Sequence, residues 1–66
     1  VQLTVNGETR AFSGVADVAG LVAALGLDTK KVAVERNLEI VPRSAYQKTP
    51  IADGDRIEIV AFIGGG

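Results

Sequence analysis

The 66-residue sequence predicts one α+β domain, a mixed β-sheet with one main helix packed across it, and three observations carry that expectation. An alternating run, Val1-Gln2-Leu3-Thr4-Val5, is followed at once by Asn6-Gly7, the dipeptide best suited to the positive φ angles of a tight hairpin. Val18, Leu21, Val22 and Leu25 fall at i, i+3, i+4 and i+7, a single apolar stripe on a helix. Arg56 to Ile63 is a dense β-branched strand that runs into Gly64-Gly65-Gly66.

Each element can be justified in order. The return arm of the first hairpin runs from about Glu8 to Phe12, with Glu8, Arg10 and Phe12 on one face. Phe12 is expected inward and Arg10 at the edge, covering apolar surface with its aliphatic stem. Asp17 reads as the N-cap of the helix and Gly26 as its left-handed terminator. Gly20 weakens the helix by about 1 kcal/mol relative to Ala, so packing on the sheet must hold it. Val32 to Arg36 is a further strand ending at Asn37, and Leu38 to Val41 a short return closed by Pro42, which cannot donate to a ladder. Ser44 to Lys48 is irregular with room for a single turn, and Ala52-Asp53-Gly54-Asp55 is a turn. The first and last strands, both rich in β-branched residues, are placed as parallel central neighbours. That order describes a ubiquitin-like β-grasp over residues 1–63 with a flexible glycine tail over 64–66, although periodicity alone also tolerates another small α+β roll.

Composition narrows the chemistry. A domain this small buries only about 60% of its unfolded surface, which leaves one thin core and little space for an internal substrate pocket. With 47% hydrophobic and 23% charged residues the chain is expected to fold. Its formal net charge of −1 and scattered bases offer no stripe to neutralise phosphates, so nucleic acid is not an expected partner. The longest apolar run, Ile59 to Ile63, is far short of a membrane span, and no leader pattern opens the chain, so a cytoplasmic setting is expected. Cysteine and histidine are both absent, which removes thiolate nucleophiles, imidazole bases and the usual zinc ligands together. No bound metal or cofactor is expected. Glu35 and Glu39 read as solvated strand carboxylates and not as an acid–base pair, and Asp53-Gly54-Asp55 lacks the further ligands of a calcium loop.

Two features remain as candidates. On the last strand Ile57 and Ile59 alternate with Glu58, but the next outward positions are Val60 and Phe62. With Ile63 they form an expected partner-binding surface, and the competing reading packs Val60 and Phe62 under the Pro42 to Lys48 loop. The second is the tail. Gly64 and Gly65 have no Cβ and can thread a slot too narrow for side chains, and three extended residues reach roughly 10 Å. Gly66 would then offer an unhindered carboxylate for activation as an acyl-adenylate. The competing reading is an ordinary frayed end.

The residues also carry a family likeness. Val5-Asn6-Gly7, Leu21 to Leu27, Val32-Ala33-Val34-Glu35, Ile40-Val41-Pro42-Arg43-Ser44, Asp53 to Val60 and the closing Gly64-Gly65-Gly66 resemble, in that order and spacing, the sulfur carrier proteins of thiamin biosynthesis, the ThiS family. The likeness spans essentially the whole chain. It implies a carrier that is not itself an enzyme and is monomeric when free. A ThiF-like E1-type adenylyltransferase would use ATP on Gly66, a sulfur-donating enzyme would lead to a thiocarboxylate there, and a ThiG-like thiazole synthase would receive the sulfur. Gly20 departs from relatives that are often acidic at that helix position, where a carboxylate would favour the N-terminus. The small subunit of molybdopterin synthase and a ubiquitin-like protein modifier share the expected fold and tail. The lead-in Ala61-Phe62-Ile63, with no proline, favours the thiamin branch. A binding module that uses only the sheet face is the alternative of another class.

Overall fold

The computed structural model describes residues 1–62; the expectations placed on Ile63, Gly64, Gly65 and Gly66 lie outside the described residues. Five strands, β1 (Gln2–Val5), β2 (Glu8–Ala11), β3 (Val32–Arg36), β4 (Glu39–Val41) and β5 (Arg56–Ala61), form one sheet in the order β2-β1-β5-β3-β4. A single α-helix, α1 (Val18–Ala24), joins the first hairpin to β3. β1 and β5 are parallel, with Thr4 opposite Arg56 and Val5 opposite Ile57, and the other pairings are antiparallel. This is the β-grasp arrangement expected from the element order, with β5 at its centre.

Local chemistry explains each boundary. Asn6 and Gly7 take φ values of 50° and 82°, the left-handed pair that a two-residue hairpin needs. Asp17 stays extended and accepts from the Gly20 N–H at 2.7 Å, capping α1. A Cβ at Gly20 would lie 3.3 Å from that carboxylate oxygen, so a larger residue requires the cap to give way by a few tenths of an ångström. At the other end Gly26 turns left-handed, its N–H donates to the Ala23 carbonyl, and the Leu27 N–H donates back to Val22, the two bonds of a Schellman motif.

Val18, Leu21 and Val22 lie fully buried against Leu3, Val5, Val32, Val34, Ile57 and Ile59 of the sheet. Each such side chain contributes about 1.5–3 kcal/mol on burial, which is what holds a helix of under two turns together. Phe12 packs half-buried on this core, and the Arg10 guanidinium lies 5.3 Å from its ring centroid.

Three stretches differ from their sequence reading. Leu38 belongs to a turn, not to the return strand: Asn37 and Leu38 have φ of 52° and 71°, so β4 starts only at Glu39. The stretch after Pro42 is a 3-10 helix over Arg43–Lys48, more regular and longer than the single turn for which the sequence left room in Ser44 to Lys48. It buries Tyr46, whose hydroxyl donates to the Val32 carbonyl at 3.3 Å. Asp55 is buried and is far more than a turn residue. Its carboxylate accepts from Arg36 Nε at 2.8 Å, Asn37 Nδ2 at 3.1 Å and the Ala52 N–H at 2.9 Å. No helix among the described residues is long and apolar enough to cross a membrane.

Candidate docking face and tail root

β5 carries both candidate features, so what fixes β5 fixes the site. At its start the Arg56 N–H donates to Asn37 Oδ1 and its carbonyl accepts from the Asn37 N–H. Midway, the Ile57 carbonyl accepts from the Asn6 N–H. Two residues further along, the Asn6 side chain acts as a surrogate strand residue: Oδ1 accepts from the Ile59 N–H at 2.8 Å and Nδ2 donates to the Ile59 carbonyl at 3.1 Å. At the far end the Phe62 N–H donates to the Lys31 carbonyl at 2.7 Å. Two hairpin asparagines and the β3 ladder thus hold the strand along its length, up to Phe62.

Asp55 anchors the same strand from below. Burial pushes its carboxyl up, but the hydrogen bonds from Ala52, Asn37 and Arg36, with the Arg36 charge, outweigh that effect and hold it below the ordinary carboxylate range. It is therefore a standing anion that ties the Asn37 hairpin to the entry of β5.

Ile57 and Ile59 point into the core, which turns the even-numbered residues of β5 outward. Val60 is 63% exposed and Phe62 57% exposed, so neither packs under the Pro42 to Lys48 loop. The apolar outward positions are an open face. Ala33 stands directly opposite Val60, and in the next row Glu58 faces Glu35, which in turn faces Ile40, itself 77% exposed. The face is thus apolar around two carboxylates that have no ion-pair partner among the described residues. Sequence reading found Val60 and Phe62 but missed Ile40 and Ala33. Their signal was weak because β4 is three residues long, too short to show alternation.

Among the described residues no group of three or more acidic, histidine or cysteine side chains is arranged to hold a metal ion. The grooves are shallow and lie between elements; one of about 320 Å³ runs between Leu25 and Leu27 and the Asn6 and Ala61 edge of the sheet. What this arrangement can do chemically is present an apolar platform for docking, with no catalytic cluster of its own among the described residues.

Comparisons with known proteins agree with that geometry. The model of the ThiS family matches residues 3–66, so the match includes the glycine-rich end. A thiazole synthase of Paramagnetospirillum magneticum is 58% identical over 66 residues; the alignment covers this whole chain but only 20% of the length of that enzyme. The sulfur carrier protein ThiS of Bacillus subtilis is 45% identical over 49 residues, 74% of each chain. The crystal structure of a thiamine biosynthesis protein, ThiS, from Geobacter metallireducens superposes with a TM-score of 0.84 at 38% identity, covering both chains completely.

Proposed function

The chain belongs to the ThiS family, and from that premise we propose that it is a sulfur carrier of thiamin biosynthesis whose Gly66 carboxylate is the group that is loaded. The observation that carries this reading is the position of the apolar Val60 and Phe62 face on the strand that leads directly into Gly64-Gly65-Gly66. Hydrogen bonds at Ile59 and Phe62 fix the orientation of the platform that a partner would meet. Held orientation is worth much of a bimolecular barrier, because the translational and rotational entropy is lost before the chemistry starts.

The cycle follows from the chemistry of a carboxylate. An adenylating enzyme docks on the Val60 face, and an oxygen of Gly66 attacks the α-phosphorus of ATP, forming the acyl-adenylate and releasing pyrophosphate. A persulfide sulfur of a donor enzyme adds to the acyl carbon and expels AMP, and a thiol then attacks the resulting acyl disulfide, leaving a thiocarboxylate on Gly66 and a disulfide between that thiol and the donor. Thiazole synthase then takes that sulfur while an oxygen from water or from the sulfur acceptor replaces it on the acyl carbon, which restores the carboxylate for another round. The carrier supplies no base, nucleophilic side chain or cofactor of its own; the ATP is a substrate of the partner. Glycine suits the acyl position because no Cβ crowds either addition step.

Pyrophosphate exchange tests the first step. A purified ThiF-like enzyme should exchange labelled pyrophosphate into ATP only when this chain is present, and removal of Gly66 should abolish the exchange. Exchange that persists undiminished without Gly66 would overturn the assignment of the acyl group.

A further inference from the structure

Among the described residues, the hydrogen-bonding direction of β5 leaves the N–H and C=O of its last residue, Ala61, facing no strand on the β1 side. Phe62 donates to Lys31 and the Arg56 carbonyl accepts from Asn37, so the even-numbered residues of β5 exchange their bonds with β3. The odd-numbered residues therefore turn their N–H and C=O groups toward β1. Ile57 finds the Asn6 backbone there, and Ile59 finds the Asn6 side chain. β1 ends at Val5, and after Asn6 the chain folds back into β2, so Ala61 meets no strand on that side. An exposed edge with a free donor and acceptor is a template for another strand.

Beside that edge lies the groove of about 320 Å³, floored by Val5, Leu25 and Ile59 and walled by Leu27, which the Schellman turn places at the surface. Arg10 lines its rim and has no carboxylate partner among the described residues. An added strand bonded to Ala61 would point alternate side chains into this groove, so one of them should be apolar and a neighbour acidic, to meet Arg10.

We propose that the Ala61 edge, the Leu25–Leu27 groove and Arg10 together accept an extended segment of thiazole synthase, which adds a strand to the sheet at the root of the tail. The choice of thiazole synthase rests on the carrier reading above and on the thiazole synthase that carries a 58% identical segment. The added strand would continue the sheet past the point where β1 stops.

Ala61→Pro is the discriminating variant. It removes the Ala61 N–H, which no element of the described fold uses, and proline is tolerated at a strand edge. Purified thiazole synthase is titrated with wild type, Ala61→Pro and Arg10→Glu while binding is read by calorimetry and the exchange of the Ala61 amide by NMR. Each variant should bind at least tenfold more weakly with an unchanged melting temperature, and the wild-type Ala61 amide should gain protection on complex formation. Equal affinity of Ala61→Pro and wild type, an Ala61 amide that exchanges as fast in the complex as free, or no binding by wild type would each overturn the proposal. Thiocarboxylate loading by an adenylating enzyme is measured in parallel. Loading that proceeds while the Ala61 result fails sinks only the strand-addition proposal, whereas absence of loading sinks the carrier reading.

Discussion

Replacing Asp55 with alanine should cost this domain a large share of its stability. The carboxylate accepts from the Arg36 guanidinium and from the neutral donors of Asn37 and Ala52. The Arg36 bond contributes about 2 kcal/mol and each bond from a neutral donor to the charged acceptor about 1.5 kcal/mol, for a gross loss of about 5 kcal/mol. Ala52 and Asn37 are exposed and Arg36 is half-buried, so water recovers part of their bonding and the net loss is about 2–3 kcal/mol. A domain of 66 residues has about 3–10 kcal/mol in total. The melting temperature should fall by about 10–20 °C. Urea and thermal unfolding followed by circular dichroism measure both quantities. The pH dependence sharpens the test. The folded carboxyl lies below its unfolded value, so its stabilisation is fully present above the unfolded pKa of about 3.9 and is lost as pH falls through the lower folded pKa. Asp55→Ala should remove that component of the acid slope. A loss under about 0.5 kcal/mol, with the slope intact, would refute the placing of Asp55 at the centre of this network.

Other positions separate fold from function. Val60→Asp should slow loading by an adenylating enzyme at least several-fold in kcat/KM while leaving the melting temperature within a degree or two, because the residue is 63% exposed and its replacement only puts a charge on an apolar contact. Leu38→Gly should stabilise the domain by about 1 kcal/mol in urea unfolding, since a left-handed leucine at φ 71° carries a steric penalty that glycine lacks and its side chain is 73% exposed. Leu21→Ala should destabilise by about 2–5 kcal/mol, because the side chain is fully buried between α1 and the sheet.

The parts of the fold that are legible in the sequence are those fixed by local chemistry. The helix stripe, the Asp17 cap and the Asn6-Gly7 hairpin each follow from spacing or from a residue's own conformational preference, and the one long-range pairing that was legible, β1 against β5, followed from the shared β-branched content of the two strands. What was illegible depends on partners distant in sequence. Asp55 reads as a turn residue until Arg36 and Asn37, 19 and 18 positions away, are brought to it. Tyr46 sits in a stretch without apolar periodicity and is buried because the 3-10 helix aims it at Val32. The Asn37-Leu38 turn was missed because leucine is not a residue that signals positive φ; the closure of β3 on β4 imposes it. At the candidate site, strand alternation turned Val60 and Phe62 outward but left open whether the Pro42 to Lys48 loop covers them, and the dual use of Asn6, as turn residue and as surrogate strand for Ile59, required the register of β1 against β5.

The claim on which the account turns is that chemistry happens at a carbonyl carbon this domain carries and never at a side chain within it. The most direct test is intact-protein mass spectrometry after incubation with ATP, an adenylating enzyme and a sulfur donor, with fragmentation to locate the change. The account predicts that one oxygen is exchanged for sulfur and that the substitution maps to Gly66 alone. An unaltered mass, or sulfur or an isopeptide bond located at any other residue, would contradict it.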